Sequence, residues 1–397
     1  MRILVGWDIE SESDLICMYL GIDDNDVTVA VGGDAFRAEI EGDNQFDIAL
    51  MSINLPDPDG AFELFAEAIR RRPNMSIVGA CDAQEIIRVI RFMTQGMSSY
   101  VLRDSGGDYM FMLQAVLEST LEAVTAQRER EVAQRLREEV ESVRKLQESV
   151  IPASIDAPEG YSICARYEPS QIQVVGDKAV TMAGGDYYDV FRLDEKHIVL
   201  LVGDASGHGM KAAMSIMTMH TLVRMIRTQS YTETAEFVAA INDHLTEQGV
   251  VNDEGGFITM LYAILNTGTC ELQWTSAGHP APMLQDLATG EVTVLGPEDA
   301  GGLPLAIMEG IEYDTYTSHL PGNSRLLLCT DGLEEAFPES KPGRHNQFGI
   351  DGIIETMKRS VELPLVDAMQ ALFDDSEAFT EGSGRHDDTS VVFLEYR

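Results

Sequence analysis

The chain has 397 residues, and its 28 Lys and Arg against 66 Asp and Glu give a formal net charge of −38. At about 100–200 residues per domain this length predicts two or three domains, and a hydrophobic fraction of 44% is typical of a globular chain rather than a disordered one. Because nucleic-acid binding depends on Lys and Arg that neutralise phosphates, the acidity argues against a nucleic-acid partner.

Membrane and export signals are also missing from the sequence. No apolar run approaches the roughly 20 residues that a membrane-spanning helix needs, and the N-terminus begins directly as a strand, with no leader to remove. We therefore expect a soluble protein of the reducing cytoplasm, with no membrane partner and with neither disulfides nor a zinc site. The cysteines behind that expectation are scattered singly, at Cys17, Cys81, Cys164, Cys270 and Cys329.

Residues 1–105 alternate short apolar strands with amphipathic helices. This alternation predicts an α/β doubly wound domain, in which helices cover both faces of a parallel sheet. The predicted strands are 2–7, 27–31, 46–53, 75–81 and 99–103, and the helical stretches include 61–71 and 83–95.

Two segments of this domain resemble bacterial response-regulator receiver domains. Residues 46–56, followed by Asp59-Gly60, resemble the third strand of that family and the loop after it, and residues 96–103 resemble its fifth strand. The resemblance implies a receiver-like fold over about the first 105 residues.

The residues that carry receiver chemistry are replaced. Ser52 stands where the family has the aspartate that accepts phosphate, and Trp7 precedes Asp8 in place of the acidic pair that holds Mg²⁺. Cys81 and Arg103 occupy the positions of the family's Thr or Ser and its Lys. A serine cannot form an aspartyl phosphate, and one aspartate is a poor Mg²⁺ site.

Asp57 and Asp59 offer an alternative phosphate acceptor, but both lie in the loop beyond the predicted strand end. We therefore expect a pseudo-receiver that responds to a regulatory protein rather than to phosphate.

Residues 106–152 read as a helical linker without Gly or Pro from 108 to 150, and Pro152 must end the helix. Apolar residues recur at three- and four-residue steps with mixed charges between them, which favours a coiled coil and a parallel homodimer. A single long helix packed on a neighbouring domain is the alternative, because the centre is polar at Gln127, Glu131 and Gln134. The apolar positions are Leu113, Leu117, Leu121, Val124, Val132, Leu136, Val140, Val143, Leu146 and Val150.

Residues 153–397 are rich in short β runs and predict an α+β domain with helices outside antiparallel sheets. Two helices, 209–227 and 232–248, are expected in succession. The predicted strands are 162–167, 179–184, 188–193, 197–203, 257–265, 270–276, 281–284, 291–295, 324–329 and 389–396.

Four acidic turns in this domain supply oxygen ligands, at Asp186, Asp204, Asp331 and Asp387. Carboxylate and carbonyl oxygens are the donors that Mg²⁺ and Mn²⁺ prefer. Two such ions about 3.5–4 Å apart can activate a water for attack on a phosphate. Each turn alone is an ordinary turn or helix cap, but their order and their position beside apolar strands favour one shared metal centre.

Five motifs in sequence order resemble the SpoIIE/RsbU branch of the PPM metal-dependent protein serine/threonine phosphatases. Residues 146–152 also resemble the helix that precedes the catalytic domain in that family. The resemblance implies a β-sandwich flanked by helices and a centre of two Mn²⁺ or Mg²⁺ ions. The motifs are Gly-Gly-Asp-Tyr-Tyr-Asp (184–189), Gly-Asp-Ala-Ser-Gly-His-Gly (203–209), Ser-Ala-Gly-His-Pro (276–280), Thr-Asp-Gly (330–332) and Asp-Asp-Thr-Ser (387–390).

Carried over by motif, the resemblance assigns both ions to Asp204. The second ion is also assigned to Asp186, the first to Asp331 and Asp387, and one of them reaches the carbonyl of Ala205 through its water shell. These are the predicted catalytic and metal-binding residues.

Four neighbouring residues receive other interpretations. His208 either caps a helix or lies near the phosphate, whereas His279 and Asp189 are expected to be structural. Asp388 is expected to be an outer ligand or to support the inner ones.

The resemblance also implies a substrate and a pathway. The expected substrate is a small phosphorylated regulator of the anti-anti-sigma (STAS) type in partner-switching signalling, with control passing from the pseudo-receiver through the linker helix. A non-catalytic adaptor that binds partners through both domains is the alternative function. A DNA-binding response regulator is disfavoured by the charge.

Overall fold

The computed structural model describes residues 1–397 except 23, 105, 153, 175–177, 182–183, 208, 228–232, 250, 253–254 and 341–345, and it gives the backbone alone at 171–174 and 178–181. The chain divides into two compact units, Met1–Leu136 and Arg137–Arg397.

The first unit is built around a five-stranded parallel sheet, which confirms the predicted α/β class. The strand order β2-β1-β3-β4-β5 is that of the flavodoxin-like doubly wound folds. The strands are β1 Arg2–Trp7, β2 Asp26–Val31, β3 Ile48–Ser52, β4 Ser76–Asp82 and β5 Ser99–Arg103. The helices are α1 Glu10–Leu20, α2 Gly33–Glu41, α3 Ala61–Arg71 and α4 Ile86–Thr94.

Helices cover both faces of this sheet because each carries apolar residues on one side. Ile16 and Leu20 of α1 pack on one face, against strand residues such as Val5. Helices α2, α3 and α4 pack on the other face, where Phe36 and Phe65 contribute the largest side chains.

A guanidinium group lies among acidic residues at the carboxyl edge of this sheet. Arg103 Nη1 is 3.1 Å from Asp8 Oδ1 and 3.2 Å from Ser52 Oγ, and Nη2 is 2.9 Å from Glu12 Oε2. The guanidinium carbon also lies 4.9 Å from the centre of the Trp7 ring. A fixed positive charge therefore occupies the position beside Asp8 and Ser52.

Helix α5, Leu113–Val150, follows a short 3₁₀ turn and runs across the boundary between the two units. Its first turns contribute Leu113 and Leu117 to the core of the first unit. Val132 and Leu136 are 67% and 60% exposed, and their pairing in a coiled coil remains a prediction. None of the helices in the described part of the chain, α5 included, combines the length and apolarity that membrane crossing requires.

The second unit contains two antiparallel five-stranded sheets, ordered β15-β12-β11-β10-β9 and β14-β13-β16-β17-β6. The first consists of β9 Asp186–Arg192, β10 His197–Ala205, β11 Ile258–Asn266, β12 Glu271–Ala277 and β15 Tyr316–His319. The second consists of β6 Tyr161–Glu168, β13 Met283–Asp286, β14 Val292–Val294, β16 Ser324–Cys329 and β17 Thr389–Tyr396. Strands β7 Gln171–Val174 and β8 Lys178–Thr181 form a separate antiparallel pair.

Five helices lie outside these sheets, among the residues that the structure describes. Helices α6 Met210–Ile226 and α7 Thr234–Gln248 pack on the first sheet. Helices α8 Asp331–Glu334, α9 Gly349–Arg359 and α10 Leu365–Phe379 pack on the second. This confirms the predicted α+β sandwich.

Both faces of the central strands are buried. In β10, Ile198, Leu200 and Val202 enter the core between the sheets, while Val199 and Leu201 face α6 and α7. A strand covered on both faces reads as a continuous apolar run, and this one carries the chain directly to Asp204.

Candidate metal centre

Two of the predicted aspartates lie side by side in the first sheet. Asp186 begins β9 and Asp204 lies near the end of β10, and the antiparallel register places them directly opposite each other. Residues opposite in such a pair have Cβ atoms about 4.5–5.5 Å apart on one face. The charge of Asp204 is accordingly among the causes that raise the pKa of Asp186.

Two further aspartates lie at one edge of the second sheet. Asp331 follows β16 and Asp387 precedes β17, and these strands are antiparallel neighbours with Cys329 opposite Val391. The end of one and the start of the other therefore fall at the same edge. The Thr330 N–H donates to the Ser390 carbonyl at 3.0 Å and keeps the two turns together.

Hydrogen bonds join the two sheets at this edge. Thr330 Oγ1 donates to Asp186 Oδ2 at 2.7 Å, and the Gly185 N–H donates to Asp388 Oδ2 at 2.6 Å. The two pairs of aspartates, Asp186 with Asp204 and Asp331 with Asp387, are thereby brought to one region of the sandwich.

The pKa values of these carboxyl groups report crowded negative charge. Burial and then the charges of Asp331, Asp387 and Asp388 raise the pKa of Asp204 to about 9. Burial and the neighbouring Asp204 carboxyl raise the pKa of Asp186 well above its usual value. A divalent cation here would offset this repulsion, as buried charges normally require.

Burial also raises the pKa of Asp387 to about 7, despite a hydrogen bond from the Asp388 N–H. The pKa of Asp331 is raised by burial and by Glu335. The carboxyl groups of the second pair, Asp331 and Asp387, therefore have raised pKa values like those of the first pair.

Gly185 lets two oxygen donors approach its backbone. A Cβ atom at this position would lie 2.5 Å from the Ala205 carbonyl oxygen and 2.9 Å from Asp204 Oδ1. The Ala205 N–H also donates to the Gly185 carbonyl at 2.9 Å. Asp204 Oδ1 and the Ala205 carbonyl oxygen thus lie near each other, beside the residue that precedes Asp186.

Gly185→Ala is expected to lower Mn²⁺ affinity by about 10–100-fold, the usual cost of disturbing the surroundings of metal ligands. The added methyl group must displace the Ala205 carbonyl or the Asp204 carboxylate. Gly301→Ala is the matched control, because a Cβ there meets nothing within 4 Å. Equal Mn²⁺ dissociation constants for the two variants, measured by calorimetry, would contradict this account of the turn.

The donors match a hydrated cation better than a dehydrated one. Among the residues that the structure describes, no three Asp, Glu, His or Cys side chains are arranged to hold one ion. Mg²⁺ usually keeps several waters and binds through one or two carboxylates. Asp186 and Asp204, with the Ala205 carbonyl beside them, provide that donor set, so the residues present fit such an ion.

Asp388 and His279 hold backbone groups near these turns. Asp388 Oδ1 accepts from the Ser170 N–H at 2.7 Å while Oδ2 accepts from Gly185. His279 Nε2 donates to the Cys329 carbonyl at 3.1 Å, and Nδ1 accepts from the Thr259 hydroxyl. Because burial lowers the pKa of His279 to about 3, its imidazole is neutral and positions the end of β16.

Asp189 lies away from the four aspartates. Its buried carboxylate accepts from the Tyr187 hydroxyl at 3.0 Å and pairs with Arg224 of α6 at 2.7 Å. It therefore joins β9 to α6. His208 falls outside the described residues.

A family model described as Stage II sporulation protein E (SpoIIE) matches residues 194–397, just over half of the chain. The chain belongs to the SpoIIE family. The SpoIIE match begins between β9 and β10, so it includes Asp204, Asp331 and Asp387, whereas Asp186 lies at the start of β9, before the match.

Two curated relatives of this SpoIIE-family chain come from Bacillus subtilis. Phosphoserine phosphatase RsbP is 22% identical over 215 residues, which is 54% of this chain and 49% of RsbP. Phosphoserine phosphatase RsbU is 23% identical over 257 residues, which is 65% of this chain and 71% of RsbU. The chain thus spans about half the length of RsbP.

A solved structure shows the fold of this region. The SiaA-PP2C domain of Pseudomonas aeruginosa superposes with a TM-score of 0.52 at 14% identity, covering 67% of this chain and 99% of that domain. The sandwich of the SpoIIE-family region is therefore a PP2C (PPM) fold.

Two residues beside the aspartates were not assigned from the sequence. Thr330 lies inside the Thr-Asp-Gly motif of the SpoIIE resemblance, but its hydroxyl bond to Asp186 depends on sheet packing. Gln147 donates to the Asp186 carbonyl and accepts from Gly184. The sequence pattern that could have identified Gln147 is its position as a polar residue on the apolar seam of the linker helix, between Val143 and Val150.

Proposed function

We propose that this SpoIIE-family chain is a metal-dependent protein serine/threonine phosphatase, acting on phosphoserine or phosphothreonine without a covalent intermediate. The observation that supports the proposal best is the cross-strand pair Asp186 and Asp204, with Asp331 and Asp387 at the adjoining sheet edge. The sequence contains no Cys-x5-Arg loop that would provide a cysteine nucleophile.

We assign two Mn²⁺ or Mg²⁺ ions to this centre. Asp204 would contact both, Asp186 and the hydrated Ala205 carbonyl would serve one, and Asp331 and Asp387 would serve the other through its bound waters. Bound divalent cations lower the pKa of water and offset charge on phosphate oxygens. Around them, the Thr330 hydroxyl orients the Asp186 carboxylate, and buried sheet packing fixes the carboxylates before substrate arrives, which saves reorganisation.

The test is Mn²⁺-dependent phosphate release from a phosphoserine peptide and from an aryl phosphate. We expect release by the wild type, its loss in EDTA, and full activity of Asp299→Asn, which changes an exposed aspartate outside the five motifs. If neither substrate releases phosphate in a metal-dependent way, the phosphatase function is contradicted. The non-catalytic adaptor is then the remaining function.

For the substrate, we propose a phosphorylated STAS protein of the anti-anti-sigma type. The support is the family membership and the two relatives named phosphoserine phosphatase. Incubation with the host's phosphorylated STAS proteins and Mn²⁺ should release phosphate faster than from the peptide. Equal rates on STAS proteins and peptide would contradict this specificity.

We further propose that residues 1–105 act as a pseudo-receiver that responds to a protein partner. Arg103 supplies a permanent cation beside Asp8, Glu12 and Ser52, where a working receiver needs a metal and an aspartate. The phosphatase domain would then be 153–397, and 106–152 would carry the signal and join two chains in parallel. Light scattering should give a dimer, and a monomer at micromolar concentration would contradict the pairing.

Treatment with acetyl phosphate is expected to leave the N-terminal domain unphosphorylated, because Ser52 is buried beside Arg103 and offers no carboxylate. Intact-mass measurement of the full chain, with and without Mg²⁺, checks this. An acid-labile adduct of one phosphate that persists in Ser52→Ala would show that a loop aspartate is the acceptor.

A further inference from the structure

The last turns of α5 contain one fully buried polar side chain, that of Gln147. Its Oε1 accepts from the Gly184 N–H at 2.9 Å, and its Nε2 donates to the Asp186 carbonyl at 3.1 Å. One amide therefore binds the backbone on both sides of Gly185, using its acceptor and one of its donors. Leaving either backbone group unpaired in this buried place would carry the desolvation cost of a lost hydrogen bond.

The backbone that Gln147 binds carries the metal-centre residue Asp186. Asp388 accepts from the next N–H, that of Gly185. Backbone groups of three consecutive residues, two N–H and one carbonyl, are thus hydrogen-bonded to side chains from α5 and from the turn before β17. The position of Asp186 depends on where these side chains lie.

Close packing makes the segment sensitive to its supports. A Cβ at Gly184 would collide with Asp388 Oδ2 and would lie 2.5 Å from Tyr167 Oη. Since no side chain of its own anchors the turn at Gly184 or Gly185, its location is fixed by the hydrogen bonds that it receives.

The end of α5 is itself held in place. Arg144, one turn before Gln147, pairs with Glu141 at 2.7 Å and with Glu148. Val150, one turn after Gln147, packs against the core under α6 and α7. The Arg144 pairs lie within α5 and stabilise the helix itself, whereas Val150 anchors its end to the core. Gln147 therefore projects from an anchored helix end that can set the position of the turn.

We propose that Gln147 is a positioning residue of the metal centre. Its amide holds Gly184–Asp186 so that the Asp186 carboxylate stays opposite Asp204, and cation affinity therefore depends on the last turns of α5. The inference rests on the proposed function and adds to it the residue through which the linker helix bears on the centre. Through Gln147, helix α5 is therefore part of the catalytic unit and does not only connect the two domains.

The test compares Gln147→Met, which keeps the length but loses both hydrogen bonds, with Gln285→Met in the full-length chain. Gln285 is equally buried, and its Nε2 donates to the Met357 carbonyl at 2.7 Å. It lies opposite Arg325 in β16, near the end of that strand remote from Asp331. Both variants therefore lose a buried amide, but only the Gln147 amide contacts the turn that carries Asp186.

The readout is the Mn²⁺ dissociation constant, measured by calorimetry in the absence of substrate. The thermal midpoint in EDTA is measured as well, to compare the stability of the metal-free variants. We expect Gln147→Met to raise the dissociation constant about tenfold or more, while Gln285→Met stays within about twofold of wild type. Excess Mn²⁺ should restore the kcat of Gln147→Met on an aryl phosphate. If Gln147→Met does not fold, Gln147→Asn, too short by one methylene to reach both backbone groups, replaces it.

Equal Mn²⁺ affinities for the two variants would overturn the inference and leave the proposed function intact. A wild type that binds no Mn²⁺ would overturn the proposed function and this inference with it. A tenfold loss confined to the Gln147 variants supports both.

Discussion

Asp204→Asn is expected to reduce Mn²⁺-dependent phosphatase turnover on the order of 10³-fold, because loss of a ligand exceeds the 10–100-fold cost of losing an outer partner. Asparagine keeps the shape of the side chain but removes the charge that two cations would share. The charges of Asp331, Asp387 and Asp388 all contribute to the raised pKa of Asp204, so its carboxyl group interacts with those at the adjoining sheet edge. Initial rates on an aryl phosphate measure the effect.

Asp299→Asn is the control for Asp204→Asn, since it makes the same chemical change at an exposed site. In Mn²⁺-free buffer the thermal midpoint of Asp204→Asn should be higher than that of Asp299→Asn, so lost turnover would not reflect unfolding. More than a tenth of wild-type turnover in Asp204→Asn would show that this carboxylate does not hold the reacting centre together.

Thermal stability of the metal-free protein is expected to fall as the pH rises from 5 to 9. In the unfolded chain aspartates titrate near pH 4, whereas burial and like charges raise the pKa of Asp387 to about 7 and of Asp204 to about 9. Between these values the folded state binds more protons than the unfolded state. Stability is therefore present at low pH and lost as the pH rises through the folded pKa values.

Mn²⁺ is expected to reverse this loss, by about 2.7 kcal/mol for each site at a concentration 100 times its dissociation constant. Asp204→Asn should flatten the metal-free profile and stabilise the protein by about 0.5–2 kcal/mol, as removal of strain at functional sites often does. Calorimetric melts in EDTA and in Mn²⁺ at pH 6 and 9 check both effects. A metal-free midpoint that rises with pH would contradict the crowding of carboxylates.

Strands that are buried on both faces were the easiest elements to predict. The bounds of β1, β16 and β17 match the sequence expectation residue for residue, because continuous apolar runs between turns are distinctive. The short polar strands β7 and β15 were missed, since their formation depends on neighbours rather than on their own pattern.

Three helices of the second unit, α8, α9 and α10, were also not predicted from the sequence. Helix α9 contains Gly349 and Gly352, which lower helix propensity, and it is stabilised by burying Ile353 and Met357. Helix α10 carries apolar residues at helical spacing, from Leu365 to Phe373, so its signal was present in the sequence.

The aspartates of the candidate centre could be named from motif order, but their supports could not. Asp186 and Asp204 face each other because β9 and β10 pair in one register, and only the strand pairing shows it. Gln147 and Thr330 act through backbone and carboxylate groups 37 to 144 residues away. No local spacing encodes such contacts.

Electron paramagnetic resonance of the Mn²⁺-loaded protein tests the central claim most directly, that aspartates from two sheets form one centre. We expect the spectrum of a spin-coupled Mn²⁺ pair in the wild type and in Asp299→Asn, and loss of the coupling in Asp204→Asn. Isolated Mn²⁺ spectra at every metal ratio, or no bound Mn²⁺, would contradict the two-ion centre.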